Sequence, residues 1–324
     1  MHTLIPKFLR VIGFVLVLFG LVAAYYGPLE IFVFYLFSEG GQFHYDGFSV
    51  GSFWFAALVV QNIGYYIIAA LFLPVGIGHL KQCRWALTFT QLYLWFWLGV
   101  GVLLLSSFIS LIPSIFKLEQ NQDGLLLQTI TIGVFLLFAL VLLPVFGLWF
   151  YRSEKVKSVF GERDTKTYWT ERYPFPLLAL LLLYVIIIVV LHLAIFLQGL
   201  FPLFGQIMLG RPSAYVIALC ILILGILIYG TVRLEKWAWW VSVVYVSLLA
   251  VSSAMSFSNY SFYDIIQMMN LPAYEMDLLD KMIVFHDMHI TGLVVVPLGI
   301  ALGLLVYSKR YFGQRHIPGK LNAR

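Results

Sequence analysis

Eight long apolar runs follow one another along this 324-residue chain, and they restrict its fold more than any other feature. Each run holds about 20 residues, which is the length that an α-helix needs to cross roughly 30 Å of hydrocarbon. The runs cover residues 9–27, 53–77, 86–111, 127–150, 175–198, 213–231, 237–256 and 289–307. Only 11% of the residues are charged, whereas soluble domains carry about a quarter. The sequence therefore predicts an all-α polytopic membrane protein with eight transmembrane helices.

The basic residues between the runs predict the orientation of the helices. If the N-terminus is cytoplasmic, 17 of the 20 Lys and Arg residues fall in inner segments, and only Lys117, Arg211 and Lys281 fall outside. Short cytoplasmic loops retain basic residues in this way. We therefore expect a plasma-membrane protein with both termini, and the basic linker at 151–174, in the cytoplasm. The net charge of +5 reflects this sorting, so we predict no nucleic-acid partner.

Matched motifs indicate a weak internal repeat. KQCRWAL at 81–87 is expected to open the third helix, and RLEKWAW at 233–239 the seventh. The fourth and eighth runs end with GLWFY at 147–151 and GLLVY at 303–307. Trp and basic residues are common at every membrane interface, which explains the residue types but less easily their matched order.

The repeat predicts two four-helix membrane units, residues 1–162 and 163–324. Four helices return the chain to its starting side, so the two units run parallel about an axis along the membrane normal. The start of the chain also resembles a secretory signal peptide, with a basic start, an apolar run and LVAA at 21–24, and cleavage there would leave seven helices. We expect the first helix to be retained because the repeat needs it.

Two outer segments, 28–52 and 260–289, are long and rich in aromatic residues and methionine. Spans 29–37 and 274–285 within them are too short or too charged to cross a membrane, and too apolar to be solvated. We expect interfacial helices there, half sunk at the level of the outer headgroups. The predicted fold thus carries an outer cap of interfacial segments, with membrane lipids or a membrane-complex partner as its expected contacts.

The central portions of the apolar runs contain no Asp, Glu, Lys or Arg. Proton- and ion-coupled transporters usually place such groups at mid-membrane, so energised transport is disfavoured. The sequence also lacks a phosphate-binding loop and a pair of catalytic carboxylates, which disfavours catalysis. Gln61, Asn62 and Gln91 remain as candidate substrate-binding residues, although such side chains more often hydrogen-bond a neighbouring helix.

One outer stretch, MIVFHDMHITG at 282–292, has the composition of a metal site. The candidate ligands are Met282, His286 and His289, which share one face of a helix, and His44 from the first outer segment. Thioether and imidazole groups suit copper, and haem held by His192 and His289 is a further alternative. The pattern is short and lacks the Glu of the zinc-protease helix, so we favour interfacial histidines and no cofactor.

These features support one leading function and two alternatives. The leading function is a non-catalytic membrane subunit or scaffold that docks a partner or lipid at its outer face. The first alternative is a transporter, lipid flippase or passive channel with a path between the two repeats. The second is a membrane redox subunit that carries a metal or haem, which a chromophore or bound metal in the purified protein would reveal.

Cysteine accessibility tests the orientation of the chain. In a background lacking Cys83 and Cys220, a single cysteine at Ser261 should react in intact cells with a membrane-impermeant thiol reagent. A single cysteine at Ser158 should not react, because the basic linker stays in the cytoplasm. Labelling at 158 but not at 261 would contradict the predicted topology.

Overall fold

The computed structural model describes residues 4–38, 53–116, 122–269, 273–280 and 290–313. Its helices are α1 (Leu4–Leu36), α2 (Phe53–Lys81), α3 (Arg84–Phe116), α4 (Gln122–Leu137), α5 (Leu143–Arg152), α6 (Glu154–Arg163), α7 (Phe175–Phe196), α8 (Gly210–Val232), α9 (Lys236–Asn259), α10 (Phe262–Met268), α11 (Ala273–Asp280) and α12 (Thr291–Ser308). A π-helical turn at Phe138–Leu142 joins α4 to α5. Two short strands, β1 (Phe201–Leu203) and β2 (Gln206–Met208), lie between α7 and α8.

Within these described ranges, eight helical segments are long and apolar enough to cross a membrane. They are α1, α2, α3, the joined α4 and α5, α7, α8, α9 and α12. This confirms the prediction of a membrane-embedded, multi-pass helical protein. The chain divides into two compact units. Unit 1 comprises residues 1–50, 54–105 and 130–171, and unit 2 comprises residues 51–53, 106–129 and 172–324.

In unit 1, glycines bring α1 close to α2. Gly13, Gly20 and Gly27 recur every seven residues on one face of α1. A Cβ added at these positions would lie 2.8, 2.8 and 3.1 Å from the nearest atoms of α2. Lipid tails are as apolar as the side chains, so helices in a membrane associate mainly through close packing and hydrogen bonds. The glycine face provides that close packing.

A buried histidine joins α2 to α5 in the same unit. The Nδ1 atom of His79 lies 2.9 Å from the Val75 carbonyl, and its Nε2 atom lies 2.9 Å from the Tyr151 hydroxyl. A carbonyl oxygen only accepts, so Nδ1 carries the proton and Nε2 of the neutral ring accepts the Tyr151 O–H. Both ring nitrogens therefore have partners, which allows His79 to be fully buried.

The basic linker forms α6, and its apolar face packs on unit 1. Val156 and Phe160 are fully buried there. Beyond the helix, the Asp164 carboxylate accepts the Arg84 N–H at 3.1 Å. Burial raises the pKa of the Asp164 carboxyl, but hydrogen bonds from the Arg84 N–H and the Tyr168 hydroxyl outweigh it and hold the pKa below its usual value.

Unit 2 is built around a common core of four helices, α7, α8, α9 and α12. The fully buried apolar side chains of this core are Leu177, Leu180, Tyr184, Ile217, Leu224, Leu227, Val246, Ala301 and Leu305. The indole N–H of Trp239 donates to the Leu305 carbonyl at 2.8 Å and so joins α9 to α12. These helices are apolar nearly all round, as membrane helices packed against both protein and lipid must be.

Helices α2 and α8 end with the same hydrogen-bonded motif. After α2, Gln82 has a left-handed φ of 55°, and the Cys83 N–H donates to the Gly78 carbonyl at 2.8 Å. After α8, Leu234 has a φ of 56°, and the Glu235 N–H donates to the Gly230 carbonyl at 3.0 Å. Both ends are Schellman motifs, which satisfy the last carbonyls of a helix and reverse the chain within a few residues.

The two glycines also let the following helix cross closely. A Cβ at Gly78 would lie 2.6 Å from the Cβ of Ala86 at the start of α3. A Cβ at Gly230 would lie 2.5 Å from the Cβ of Ala238 at the start of α9. Neither position has room for a methyl group without displacing the neighbouring helix.

One segment differs from its predicted form. Residues 29–36 do not make a separate interfacial helix, because α1 continues through Pro28 to Leu36. A proline inside a helix removes one backbone hydrogen bond, which this long apolar helix tolerates. At 33 residues α1 is about 50 Å long, so it is longer than the hydrocarbon is thick. The second expected interfacial span is described only as far as Asp280, as α11.

Alanine substitutions at matched glycines test the close helix crossings. Gly78→Ala and Gly230→Ala should each lower the thermal unfolding temperature in detergent, because overpacking costs about 1–3 kcal/mol. Gly64→Ala and Gly225→Ala are the controls on the same two helices, and no atom lies within 4 Å of their added Cβ. The controls should be neutral or stabilising, since alanine favours a helix over glycine by about 1 kcal/mol. Equal effects in all four variants would contradict the packing described for both turns.

Candidate functional site

The residues that the sequence singled out fall into two groups. Gln61, Asn62 and Gln91 lie in described helices, whereas His44, Met282, His286 and His289 lie outside the described residues. The copper and haem alternatives, and the preferred interpretation without a cofactor, therefore stay predictions. In the part of the chain that the structure describes, no three His, Cys, Asp or Glu side chains are grouped as metal ligands.

Gln91 and His192 hydrogen-bond to helix backbone. The Gln91 Nε2 donates to the Tyr151 carbonyl at 2.9 Å and joins α3 to α5. The Nδ1 atom of His192 lies 2.8 Å from the Ile188 carbonyl, one turn earlier in α7. Such bonds are what polar side chains commonly make in membrane helices. A substrate role for Gln91 and a haem role for His192 stay predictions.

Asn62 hydrogen-bonds to Glu30, a residue of α1 that lies beyond the end of the predicted apolar run at 9–27. Its Nδ2 atom donates to Glu30 Oε2 at 3.3 Å and to the Leu58 carbonyl at 3.1 Å. Because both partners only accept, the nitrogen must face them, and this fixes the orientation of the amide. The Oδ1 atom is then buried, and it has no hydrogen-bond donor among the residues that the structure describes. An unsatisfied buried acceptor costs about 1–3 kcal/mol.

Aromatic and amide groups lie within about one helical turn of this contact along α1 and α2. The Gln61 Nε2 donates to the Tyr65 hydroxyl at 2.9 Å, and the Tyr65 ring lies 6.0 Å from that of Tyr26. We refer to Glu30, Gln61, Asn62, Tyr26 and Tyr65 together as the α1–α2 polar cluster. Asn62 lies 19 residues before Lys81, so the cluster is roughly 28 Å along α2 from that basic end. This distance places it close to the far boundary of the hydrocarbon.

The α1–α2 polar cluster offers acceptor oxygens without a matching cation. The described ion pairs of the chain are Arg84 with Glu171 and Lys157 with Glu154, and neither includes Glu30. The helix residues around the cluster are apolar or aromatic, and the basic residues of α2 are at its opposite end. A half-buried carboxylate, a buried amide oxygen and tyrosine rings are together suited to a small positively charged group with N–H donors.

In unit 2, a β-hairpin lies on α9. Strands β1 and β2 pair antiparallel, and the turn residues Phe204 and Gly205 have φ values of 42° and 95°. Positive φ at both central residues is the type I′ turn, whose twist matches that of the strands. The sequence analysis did not predict this hairpin, because each strand has only three residues.

Two serines of α9 satisfy the backbone of the turn. The Phe204 N–H donates to Ser252 Oγ at 2.9 Å, and the Gly205 N–H donates to Ser256 Oγ at 3.0 Å. The Ser252 hydroxyl in turn donates to the Pro202 carbonyl at 2.9 Å. Both serines are buried.

The hairpin contacts α9 before the C-terminal end of that helix. Ser252 is seven residues before Asn259, so the contact is about 10 Å inside the helix end. Non-helical backbone beside a membrane helix needs protein groups to satisfy it wherever water is excluded, and Ser252 and Ser256 supply them for this turn. The contact of these serines with the turn was not predicted from the sequence. The spacing of Ser252, Ser256 and Asn259 along one helix face was the available signal.

Helix α10 follows the C-terminal end of α9, near which the hairpin lies. Its first turn is closed by a capping box, in which the Ser261 N–H donates to Asp264 Oδ2 at 2.7 Å and the Asp264 N–H donates to Ser261 Oγ at 3.1 Å. The Tyr263 hydroxyl donates to Asp280 of α11, and this hydrogen bond raises the pKa of Tyr263. We refer to β1, β2, α10 and α11 as the unit 2 platform, and it lies opposite the α8–α9 turn.

The chain matches no protein-family model, no curated protein and no solved structure. Its function is therefore inferred from its own side chains and backbone.

Removal of either serine tests how the hairpin is held. Ser252→Ala and Ser256→Ala each leave a turn N–H without its acceptor, which should cost about 1–3 kcal/mol and lower the unfolding temperature in lipid nanodiscs. Ser258→Ala is the matched control, because Ser258 is an exposed residue of the same helix and bonds only to the Met255 carbonyl. If all three variants unfold at the same temperature as the parent, the hairpin does not depend on these bonds.

Proposed function

We propose that the protein is a non-catalytic, multi-pass subunit or scaffold of the plasma membrane. In this proposal the unit 2 platform faces the cell exterior and docks a partner or a lipid. The observation that carries it is the β-hairpin turn, whose backbone is bonded to α9 while the Phe204 side chain is 53% exposed. A fixed backbone that presents an aromatic side chain loses little conformational entropy on binding, which favours a docking role.

The charge distribution supports the orientation. The end of unit 2 opposite the platform carries Arg233 stacked on Tyr229 at 4.4 Å and Lys309 stacked on Trp239 at 5.0 Å. Basic residues paired with interfacial aromatic rings are typical of a cytoplasmic membrane boundary. Both termini and the basic linker would then be cytoplasmic, and the platform would be outside.

The proposal includes a parallel duplication of a four-helix unit, with residues 1–162 and 163–324 as its two copies. The Schellman motifs that end α2 and α8 support it, because Gly78 and Gly230 are 152 residues apart and have the same role. Trp85 and Trp237 also contact these glycines in the same way, at 3.0 and 2.8 Å from the added Cβ. Interfacial composition alone does not require a shared glycine, alanine and tryptophan contact.

Site-specific photo-crosslinking in native membranes tests the docking role. A photo-reactive amino acid at Phe204 should give one discrete adduct, with a protein or a lipid species, because the turn presents this side chain to the docked group. The same amino acid at Leu222 is the control, since Leu222 is 61% exposed in the middle of α8 and should meet only bulk lipid.

The adduct at position 204 should weaken in the Ser252→Ala, Ser256→Ala double variant, in which the turn loses both backbone contacts to α9. Identical products at positions 204 and 222 would contradict the proposed docking role.

A further inference from the structure

The α1–α2 polar cluster belongs to unit 1, whereas the proposed docking platform belongs to unit 2. The side chains of the cluster indicate the kind of ligand that it would bind. Glu30 supplies a half-buried carboxylate, and Asn62 supplies a carbonyl oxygen that is buried and without a donor in the described part of the chain. Asn62 is only 7% exposed, so bulk solvent has little access to this oxygen. The Asn62 Nδ2 atom is 3.3 Å from Glu30 Oε2, so the two side chains that carry these acceptors are neighbours.

The complementary ligand must carry positive charge and N–H donors. The carboxylate requires the charge, because Glu30 forms no ion pair with a described residue. The Asn62 Oδ1 atom requires a donor N–H or O–H. Tyr26 and Tyr65, whose rings are 6.0 Å apart, add the π-electron faces that attract a cation.

We propose that the α1–α2 polar cluster binds a primary ammonium group. Its location, roughly 28 Å along α2 from Lys81, is the level of phospholipid headgroups, where an ethanolamine headgroup carries this ammonium. The group enters beside the half-buried Glu30, and rotation of that side chain brings Asn62 Oδ1 within reach. The bound ammonium donates one N–H to the Glu30 carboxylate and another to Asn62.

A trimethylated ammonium has no N–H, so it leaves the Asn62 oxygen without a donor. Choline headgroups should therefore bind less well than ethanolamine headgroups, although the tyrosine rings attract both cations. This selectivity separates the proposed site from general attraction to a lipid surface.

Thermal unfolding of the full-length protein in nanodiscs tests the site. Nanodiscs of phosphatidylethanolamine mixed into an inert lipid should give a higher unfolding midpoint than nanodiscs with phosphatidylcholine of the same acyl chains, because a ligand that binds the folded state stabilises it. In the second arm, free ethanolamine is added to choline-lipid nanodiscs, with free choline as its control. Stabilisation in the lipid arm alone identifies a headgroup, and stabilisation by free ethanolamine identifies a soluble amine with the same chemistry.

Glu30→Gln should abolish the preference in both arms. It keeps the acceptor for Asn62 and so keeps the fold, but it removes the charge that balances the ammonium. Glu154→Gln is the matched control, because Glu154 is an exposed carboxylate of unit 1 that pairs with Lys157, and it should retain the preference. Equal midpoints with ethanolamine and choline in both arms, or a preference that survives Glu30→Gln, would overturn the proposal.

Discussion

In hydrocarbon no water can replace a missing hydrogen-bond partner, so every backbone N–H and C=O must find one within the chain. The long helices meet this requirement by themselves, and Schellman motifs extend it to the ends of α2 and α8. The β-hairpin cannot meet it alone, because its turn N–H groups point away from the strands. Ser252 and Ser256 supply the acceptors, and the position of the β-hairpin depends on them.

Close packing is the second requirement, because lipid gives helices no hydrophobic reason to associate. Glycines allow close helix packing at two places in unit 1. One is the α1 face that includes Gly13 and Gly20, and the other is the turn after α2, at Gly78. The same close packing brings Glu30 against Asn62, because Glu30 lies three residues after Gly27 along α1. The α1–α2 polar cluster is thus a consequence of how the helices pack, and the Asn62 oxygen, which has no donor among the described residues, is the basis of the proposed preference for an N–H group.

The eight spans could be predicted because the length of an apolar run directly reflects the thickness of the hydrocarbon. The end of α1 could not, because Gly27 and Pro28 resemble a helix stop, and Glu30 was therefore assigned to an outer segment. Its contact with Asn62 joins two helices, and no periodicity within one helix reports such a pair. The β-hairpin was missed for a similar reason, because three-residue strands show no alternation and are held by a helix 50 residues away.

Hydrogen exchange of the native protein in lipid nanodiscs tests most directly whether the β-hairpin is held on α9. We predict that the Phe204 and Gly205 amides exchange as slowly as the backbone amides of α9, because serine oxygens bind them away from water. Exchange of these two amides within seconds, at the rate of an unprotected surface turn, would contradict the anchored hairpin and the docking platform built on it.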